Sequence, residues 1–500
     1  MSNNVLMLPL AIPLLTGIVM GIARNRIRFQ RFLGLVSTAA SLAVSLYLVE
    51  VVARRGVQIL ELGGWPAPFG IVLVLDMLPA LLLVTASLVA FACFLYAVRS
   101  IGEEKERHYF YPLFHFLLVG VNGSFLTGDL FNLFVFFEVM LFASYVLLVL
   151  GGTKIQLRET IKYALINTLS STLFLVGIAY LYSLTGTLNM AHLSVRIAEA
   201  GPVGIVTGVA VVFLVVFAVK AGLLLYFWLP GSYMAPPGAV GALFAALLTK
   251  VGIYVILRVF TLIFYHQPEI THSLLGIMAL LTMLLGGLGA ISQWDIRGIL
   301  VYNVVVSVGF IMTGLVYGTA AGLTGAVYYT MHDMVMKALL FLLGATVITI
   351  AGTSKLKEMS GLIRNHPLLG WLFFLTALAL TGIPPLSGFV GKVLLIKEGL
   401  ALGASRWEFY LLAGTALLSS MLVLYSLLKI FINGFWGETV LSEEMEKGTD
   451  RGLLLPCVLL AAASLFLGLG AEILYPYVDQ AVVTLLHPGL YIEAVLGEVF

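Results

Sequence analysis

Long apolar runs recur along almost the whole chain, and they limit its possible folds more strongly than any other feature. A helix that crosses a lipid bilayer needs about 20 mostly apolar residues. Fourteen runs reach or approach that length: Val5–Ala23, Phe32–Val52, Ile71–Val98, Phe110–Leu126, Leu130–Leu150, Ile161–Leu184, Val203–Trp228, Ala239–Phe264, Leu274–Ile291, Ile299–Val316, Leu323–Ile350, Leu368–Leu400, Phe409–Phe435 and Leu453–Val478. The sequence therefore predicts an all-α polytopic membrane protein with 14 transmembrane helices.

The composition excludes several other classes of protein. Of the 500 residues, 61% are hydrophobic and 10% are charged, whereas a soluble domain is roughly 25% charged. The formal charge of +2 leaves no basic surface for nucleic acid. Cys93 and Cys457 both lie in apolar runs, which argues against a disulfide framework or a redox pair. The longest polar stretch, residues 437–451, predicts a loop, so we expect no extramembrane domain for a nucleotide or cofactor.

Lysine and arginine in the loops indicate the orientation of the chain. The odd-numbered loops carry sixteen of them and the even-numbered loops carry five. Cytoplasmic loops carry the excess of positive charge, so we place the odd loops in the cytoplasm and both termini outside. The positive charges near the first run follow it, as expected for a retained helix that is not a cleaved signal peptide. The tail after Asp479 is predicted to lie along the membrane surface.

Several ionisable residues lie where the membrane makes a charge costly. A charge at the centre of a bilayer costs about 2.5–3.5 kcal/mol on insertion scales, and the charges that persist are usually functional or paired. The residues at such depth are Glu138, Lys220, Lys250, His332, Asp333, Lys337 and Lys392. For each of them, a structural ion pair or hydrogen bond between helices is the alternative. Asp333 and Lys337 are one helical turn apart and could neutralise each other.

Three further charged residues lie nearer to the ends of their runs. We interpret Arg258 and Lys429 as side chains that extend towards the membrane surface. The sequence leaves Asp76 undecided between a structural role and a role as a modulator of the buried charges.

The buried set is dominated by lysine, and this composition suggests a chemistry. Burial in a low dielectric disfavours the charged form of a lysine, whereas a nearby carboxylate favours it. Moving a single partner can therefore change whether such a lysine holds its proton. A hydrated row of these residues can act as a proton relay, in which Glu138 and His332 join the four lysines and Asp333 is a modulator.

Prolines predict helix breaks near two of the lysines. Pro230, Pro236 and Pro237 follow Lys220, and Pro384 and Pro385 precede Lys392. Proline removes a backbone hydrogen bond, and freed carbonyls at membrane depth must face protein or water. Broken helices in corresponding halves mark ion sites in transporters with inverted repeats.

The two halves can be overlaid on this basis. Lys220 and Lys392 are 172 positions apart, each in the fourth helix of a group of five. The same shift takes Glu138 to Phe310, so the second half has no equivalent carboxylate there.

These segments together resemble a known family. FNLFVFFEVML, ALLTKVGIY, HDMVMKALLF and GIPPLSGF, with the Lys220 segment that runs into WLP, are similar to the proton-pumping antiporter-like subunits. That family includes the large membrane subunits of respiratory complex I and subunits of Mrp-type sodium/proton antiporters. FWLPGSYMAPP, LGGTKIQLRE and YIEAVLG most resemble the D-type subunits of Mrp complexes. The likeness extends over essentially the whole chain.

The resemblance implies an architecture and residue roles. It implies two inverted five-helix repeats, at 109–264 and 265–436, between an N-terminal part, 1–108, and a C-terminal part, 437–500. It implies that Glu138 and Lys220 form a switching pair and that Lys250 is a central lysine. It also implies that His332 and Lys337 form a relay and that Lys392 ends the polar axis at mid-membrane. Two departures are visible. Leu223–Leu225 stands where the family commonly has a proline, and Asp333 lies beside His332 where a neutral residue or histidine is expected.

Three functions follow as hypotheses. The first is a proton-translocating subunit of a multi-subunit cation/proton antiporter in a prokaryotic plasma membrane, with other membrane subunits as partners. It would transport H⁺ and Na⁺ and hold no cofactor or metal of its own. The second is a pump subunit of a redox complex such as complex I or a membrane-bound hydrogenase. The third, a membrane enzyme or scaffold, lacks supporting motifs such as HExxH.

Overall fold

The computed structural model describes residues 3–201, 204–439 and 451–497. This part of the chain consists of helices and one two-stranded hairpin. The N-terminal half contains a short 3₁₀ segment, Asn3–Met7, and then α1 (Leu8–Ile22), α2 (Ile27–Arg55), β1 (Gln58–Glu61), β2 (Val72–Leu75), α3 (Met77–Ser100), α4 (Glu103–Glu106), α5 (Phe110–Leu126), α6 (Leu130–Val149), α7 (Lys154–Thr185), α8 (Met190–Ala200), α9 (Gly204–Ala221), α10 (Leu229–Met234) and α11 (Gly238–Leu262).

The second half is helical in the same way. It contains α12 (Pro268–Ser292), α13 (Ile296–Tyr317), α14 (Ala320–Ala351), α15 (Pro367–Thr381), α16 (Ser387–Gly403), α17 (Trp407–Ile430), a π-helical turn (Phe431–Phe435), α18 (Arg451–Leu469), α19 (Ala471–Leu486) and α20 (Pro488–Leu496). Residues 440–450 of the predicted polar loop lie outside the described residues.

Twelve helices of the described chain are long and apolar enough to cross a membrane. They correspond to twelve of the runs predicted from the sequence. The other two runs form helices of fewer than 18 residues: one is α5, which has the predicted bounds, and the other is divided into α15 and α16. The polytopic, helical class is thus confirmed, and the count of fourteen crossings stays a prediction.

Three helices form the centre of the protein. In the most apolar 18-residue stretch of each helix, 100% of the residues are buried in α11, 94% in α13 and 83% in α14. The corresponding value is 33% in α2 and 39% in α7. These three helices pack against one another. Charged side chains on their inner faces are therefore surrounded by protein and kept away from lipid.

The third predicted run is divided between a strand and a helix. Residues 72–75 pair with β1 in an antiparallel hairpin in which Glu61 is opposite Val72. The helix begins only at Met77, because the Asp76 carboxylate accepts a hydrogen bond from the Leu78 N–H (3.0 Å) and caps the N-terminus. Asp76 therefore lies at the start of α3.

Asp76 and Arg258 form a buried ion pair. The guanidinium of Arg258 is 2.5 Å from the Asp76 carboxylate, and both side chains are almost fully buried. The guanidinium also lies 5.0 Å from the centre of the Tyr491 ring. The interpretation of Arg258 as a side chain that extends to the surface was wrong, because a buried carboxylate on α3 is available as its partner.

Each of the two predicted groups of five helices contains one interrupted helix. In the first group, α9 ends at Ala221 and Gly222 adopts a positive φ of 73°. Leu224 also has a positive φ, 57°, which is unfavourable for a residue with a side chain. Its N–H, released from the helix, donates to the Thr282 hydroxyl (2.7 Å).

The prolines of the first break lie later than the break itself. Pro230 occupies the first turn of α10, where a missing N–H has no helical partner to lose. It therefore does not interrupt a helix, unlike the sequence-based expectation. Pro236 and Pro237 separate α10 from α11.

In the second group, α15 ends at Thr381 and α16 begins at Ser387. Pro384 and Pro385 lie in the connection, after Gly382, whose φ is 93°.

The C-terminal tail folds back against the protein. The helices α19 and α20 follow α18, and α19 packs against α3, α11 and α14. Tyr491 of α20 is buried beside Arg258. The tail is thus part of the packed structure, in addition to any contact with the membrane surface that the sequence predicts.

We predict that the Asp76–Arg258 pair stabilises the junction of α3 and α11. Asp76→Asn should lower the free energy of unfolding by about 3–5 kcal/mol, because it leaves a buried guanidinium without a counter-charge. Thermal unfolding of the detergent-purified protein measures this change. The control is Glu50→Gln, which removes the exposed i,i+4 partner of Arg54 and should cost about 0.3–0.5 kcal/mol. Equal effects of the two variants would contradict the prediction.

Candidate functional site

A buried carboxylate on α14 contacts two lysines. The Lys250 amine, on α11, is 2.6 Å from Asp333 Oδ2, and the Lys337 amine is 3.4 Å from Asp333 Oδ1. The side chains of Lys250 and Asp333 are fully buried, and that of Lys337 is 2% exposed. The contact arises because α11 packs against α14 and because Asp333 and Lys337 are one turn apart. We call Lys250, Asp333 and Lys337 the central triad.

Asp333, which the sequence predicts as a possible modulator, contacts both lysines of the central triad. The spacing of Asp333 and Lys337 predicts their pairing, and the structure places them together. The shorter contact, however, is with Lys250, which is far away in sequence. Lys250 also donates to the Ala245 carbonyl (3.1 Å) and the Thr249 hydroxyl (3.3 Å). Asp333 is thus the common partner of two amines.

Lys220 lies in a separate site at the end of α9. Its amine donates to the Ser171 hydroxyl of α7 (3.0 Å) and lies 5.2 Å from the centre of the Phe137 ring. It is buried, with an exposed fraction of 5%. The hydroxyl and the aromatic face partly replace the hydration that the ammonium loses.

Glu138 follows Phe137 on α6, but it does not form an ion pair with Lys220. The two side chains are both described, and they lie farther apart than the 4.0 Å limit for such a pair. Oε1 of Glu138 is buried and has no hydrogen-bond partner. In the structure, therefore, no ion pair joins the two residues that are predicted to form the switching pair.

Lys392 lies at the break between α15 and α16. Its amine donates to the carbonyl of Thr381, the last residue of α15 (3.0 Å), and to the hydroxyl of Ser420 (2.8 Å). The same amine is 5.1 Å from the centre of the Phe310 ring. The end of a helix leaves such a carbonyl without an intrahelical partner, and the lysine satisfies it.

His332 connects α14 with α16 and α18. Its Nδ1 is 2.7 Å from the Ser387 hydroxyl, which is 2.7 Å from the Ser464 hydroxyl. The Nε2 atom is buried and has no partner. Tyr329, one turn before His332, lies beside both His332 and Lys392. The centre of its ring is 5.1 Å from the centre of the His332 ring and 5.8 Å from the Lys392 amine.

Adjacent sides of α14 thus contribute to two sites. One side presents Asp333 and Lys337 to α11, and the other presents Tyr329 and His332 to α16. The helix joins the central triad to the surroundings of Lys392. The six residues predicted as a relay therefore occupy three neighbouring sites, at Lys220, at the central triad and at Lys392.

Lys429 lies outside this group. Its amine donates to the carbonyls of Ile291 (2.7 Å) and Gln293 (2.5 Å) at the end of α12. The side chain is mostly buried, and its amine lies 4.8 Å from the centre of the exposed Trp294 ring at the end of α12. The interpretation of Lys429 as a side chain that extends towards the membrane surface stays a prediction. In the structure, the Lys429 amine caps the C-terminus of a helix.

Several functional contacts could not be found from the sequence. Ser171, Ser387 and Ser420 supply hydroxyls to the two lysines and the histidine. Serine is common in packed membrane helices, so a single serine in an apolar run carries no signal. The partner of Lys250 was also missed, because a contact between distant helices leaves no local pattern.

Comparison with known proteins finds related sequences and structures. A family model described as "NADH:quinone oxidoreductase/Mrp antiporter, TM" matches residues 127–422, a stretch that includes all six residues predicted to form a relay. The D subunit of the Na⁺/H⁺ antiporter of Bacillus subtilis strain 168 is 49% identical over 497 residues, which cover 99% of this chain and 100% of that protein.

Solved structures share the fold. A chain of the Mrp complex from Dietzia sp. DQ12-45-1b superimposes with a TM-score of 0.90 at 31% identity, covering 99% of this chain and 100% of that one. A chain of respiratory complex I from Thermus thermophilus with bound NADH gives a TM-score of 0.81 at 26% identity, covering 96% and 99%. The chain therefore belongs to the NADH:quinone oxidoreductase/Mrp antiporter transmembrane family.

Proposed function

We propose that this chain is the proton-translocating subunit of a multi-subunit Na⁺/H⁺ antiporter of the Mrp type. It is a transporter component of a prokaryotic plasma membrane, and its partners are other membrane subunits of the complex. The single observation that supports a relay most strongly is the central triad, a fully buried carboxylate shared by two amines. Charges at such depth are costly and are rarely kept without a function.

The central triad can pass a proton between helices. A carboxylate favours the charged form of an adjacent amine, and Asp333 lies beside two. Gain or loss of a proton by one lysine therefore changes how strongly Asp333 favours the charged form of the other lysine. We propose that protons cross from α11 to α14 by this shared carboxylate.

Glu138 and Lys220 act as the switch. In the structure, Lys220 and Glu138 form no ion pair. The Lys220 amine donates a hydrogen bond to the Ser171 hydroxyl, and Glu138 Oε1 can accept a hydrogen bond. Approach of the carboxylate would stabilise the charge of Lys220, and separation would favour release of its proton towards Lys250. The relay ends at Lys392, and His332 and Tyr329 lie between it and the central triad.

The sodium path is a separate proposal. In the described residues no group of three or more His, Cys, Asp or Glu side chains is arranged to hold a metal ion. We propose that Na⁺ is exchanged in cooperation with a partner subunit, and that this chain carries the proton branch.

A pump subunit of a redox complex is the second candidate. The complex I chain with 26% identity has the same fold. The antiporter protein with 49% identity over its whole length supports the first function better.

We predict that Glu138→Ala and Lys220→Ala each abolish most sodium-dependent proton flux, because each removes one half of the switch. The whole complex is expressed in a host without its own antiporters, and flux is measured with a pH-sensitive dye in everted vesicles. Glu199→Ala, at an exposed carboxylate paired with Arg196, is the control. Wild-type flux in the Lys220→Ala complex would rule out the switch.

We predict that the two charged partners in α14 differ in their effect on stability. Asp333→Asn should lower the free energy of unfolding by about 3–5 kcal/mol, because two buried amines lose their counter-charge. Lys337→Met should cost less, because the Lys250–Asp333 pair remains. Both should lose sodium-dependent proton flux. Thermal unfolding and vesicle flux test this order, and an Asp333→Asn protein that keeps both properties would contradict it.

A further inference from the structure

A groove lies between the ends of several helices in the second half of the chain. Its walls are formed by the end of α11, the first half of α12, the end of α13, the start of α14, the connection between α16 and α17, and the tail where α19 meets α20. The volume of the groove is about 800 Å³, within the range of roughly 300–1,000 Å³ that is usual for ligand pockets. Among the described residues that line it, none is part of the predicted relay.

The loop charges indicate on which side of the membrane the groove lies. The connections between α11 and α12, between α13 and α14 and between α16 and α17 contain one arginine, Arg406, and no lysine. Cytoplasmic loops carry the excess of positive charge, which assigns these three connections to the opposite side. We therefore place the groove in the outer leaflet.

The groove is about as deep as one leaflet. Along α12, its lining residues extend from Pro268 and Glu269 at the start of the helix to Leu280. With a rise of 1.5 Å per residue, Glu269 and Leu280 are about 17 Å apart along the helix axis. Half of the hydrocarbon core of a bilayer measures about 15 Å. An alkyl chain that enters at the start of α12 thus meets a protein wall over the whole leaflet.

Polar and apolar residues line the groove at different levels. Charged and polar side chains lie near the helix ends, at the mouth: Glu269, His272, Ser273, Ser405, Arg406 and Glu408. Further from these ends, the lining residues of α12 and α17 are Gly276, Ile277, Leu280, Leu411 and Leu412. A charged mouth above an apolar wall matches a membrane lipid, whose headgroup stays at the surface while its chains lie in the bilayer.

The charges at the mouth have both signs. The Arg406 guanidinium is 3.7 Å from the Glu408 carboxylate, and both side chains are about half exposed. The same guanidinium lies 5.0 Å from the centre of the buried Phe409 ring, a cation–π contact that favours its position beside the groove. Glu269 adds a second exposed carboxylate from α12. The mouth thus presents one positive and two negative groups.

This charge pattern favours one kind of headgroup. A guanidinium binds phosphate oxygens through charge-assisted hydrogen bonds, and a primary ammonium has three N–H groups to donate to carboxylates. An anionic headgroup without an amine would add negative charge beside two carboxylates. A trimethylammonium headgroup has no N–H to donate. The best match is a headgroup that contains a phosphate and a primary amine.

We propose that the groove binds one phospholipid of the outer leaflet, a phosphatidylethanolamine. Its phosphate lies beside Arg406, its ammonium lies beside Glu408 and Glu269, and an acyl chain follows α12 towards Leu280. The lipid contacts the ends of α13 and α14 on one side and the junction of α19 and α20 on the other, so it joins the C-terminal tail to the central helices. This site goes beyond the proposed function, because it is separate from the predicted relay.

Photolabelling locates the lipid and does not depend on transport. The whole complex is reconstituted in vesicles that contain a trace of phosphatidylethanolamine with a diazirine in one acyl chain. After illumination, mass spectrometry identifies the labelled peptides. We expect label in residues 269–280. An unlabelled stretch, as when a helix of a partner subunit fills the groove, would overturn the proposal.

A variant that fills the groove separates bound lipid from bulk lipid. Ile277 lines the groove and is 58% exposed, and Leu288 lies outside it on the same helix and is 53% exposed. Ile277→Trp should lower the label in residues 269–280 several-fold, whereas the control, Leu288→Trp, should leave it unchanged. Added phosphatidylethanolamine should also raise the unfolding temperature of the control complex but not of the Ile277→Trp complex, because a ligand of the folded state stabilises it. Equal behaviour of the two variants would refute a bound lipid.

Competition between lipids tests the headgroup. In the wild-type complex, unlabelled phosphatidylethanolamine should displace the label several-fold better than the same amount of phosphatidylglycerol or phosphatidylcholine. Arg406→Gln should weaken this preference. The matched control is Arg196→Gln, which also removes an exposed arginine paired with a glutamate and should keep it. Equal displacement by the three lipids would contradict the headgroup assignment, and an unchanged preference in Arg406→Gln would contradict the role of Arg406.

Discussion

The contact of Asp333 with Lys250 and Lys337 is the interaction on which the rest of the structure depends. Two amines and one carboxylate lie fully or almost fully buried at the junction of α11 and α14. Such a group is stable inside a membrane protein only if neighbouring helices exclude lipid and the charges compensate one another. The packing of α11, α13 and α14 into a central core provides that environment. The long, exposed helices such as α7 and α2 can then contact lipid or partner subunits.

The interrupted helices place further amines beside this core. Lys220 lies directly before the break after α9, and Lys392 donates to a carbonyl that the end of α15 leaves free. In both cases a serine hydroxyl and a phenylalanine ring complete the site. Neither lysine has a carboxylate within ion-pair distance in the described structure. Their protonation can therefore respond to small movements of neighbouring charges, which is the property a relay needs.

The sequence predicted the elements with the strongest local signals. Twelve long apolar runs appear as helices, and the charged side chains predicted at depth in α9, α11, α14 and α16 are buried, whereas Glu138 of α6 is half-buried. The limits of this prediction have physical causes. Residues 72–75 are apolar and continue into α3 without a polar boundary, so the strand β2 was read as helix. Pro230 was read as a break because sequence alone does not show that it begins a helix.

Contacts between distant helices were the other limit. The pairs Lys250–Asp333 and Arg258–Asp76 join residues far apart in sequence, and neither spacing nor hydropathy contains that information. The central claim is that the central triad carries protons in addition to holding two helices together. Flux through the assembled complex with Lys250→Met, Asp333→Leu and Lys337→Met combined tests it most directly, because this variant leaves none of the three charges without its partner, and apolar replacement of a whole buried ion pair or triad is often neutral or stabilising. The account predicts a complex that assembles and unfolds at a normal temperature but lacks sodium-dependent proton flux. Flux at the wild-type rate in that variant would contradict it.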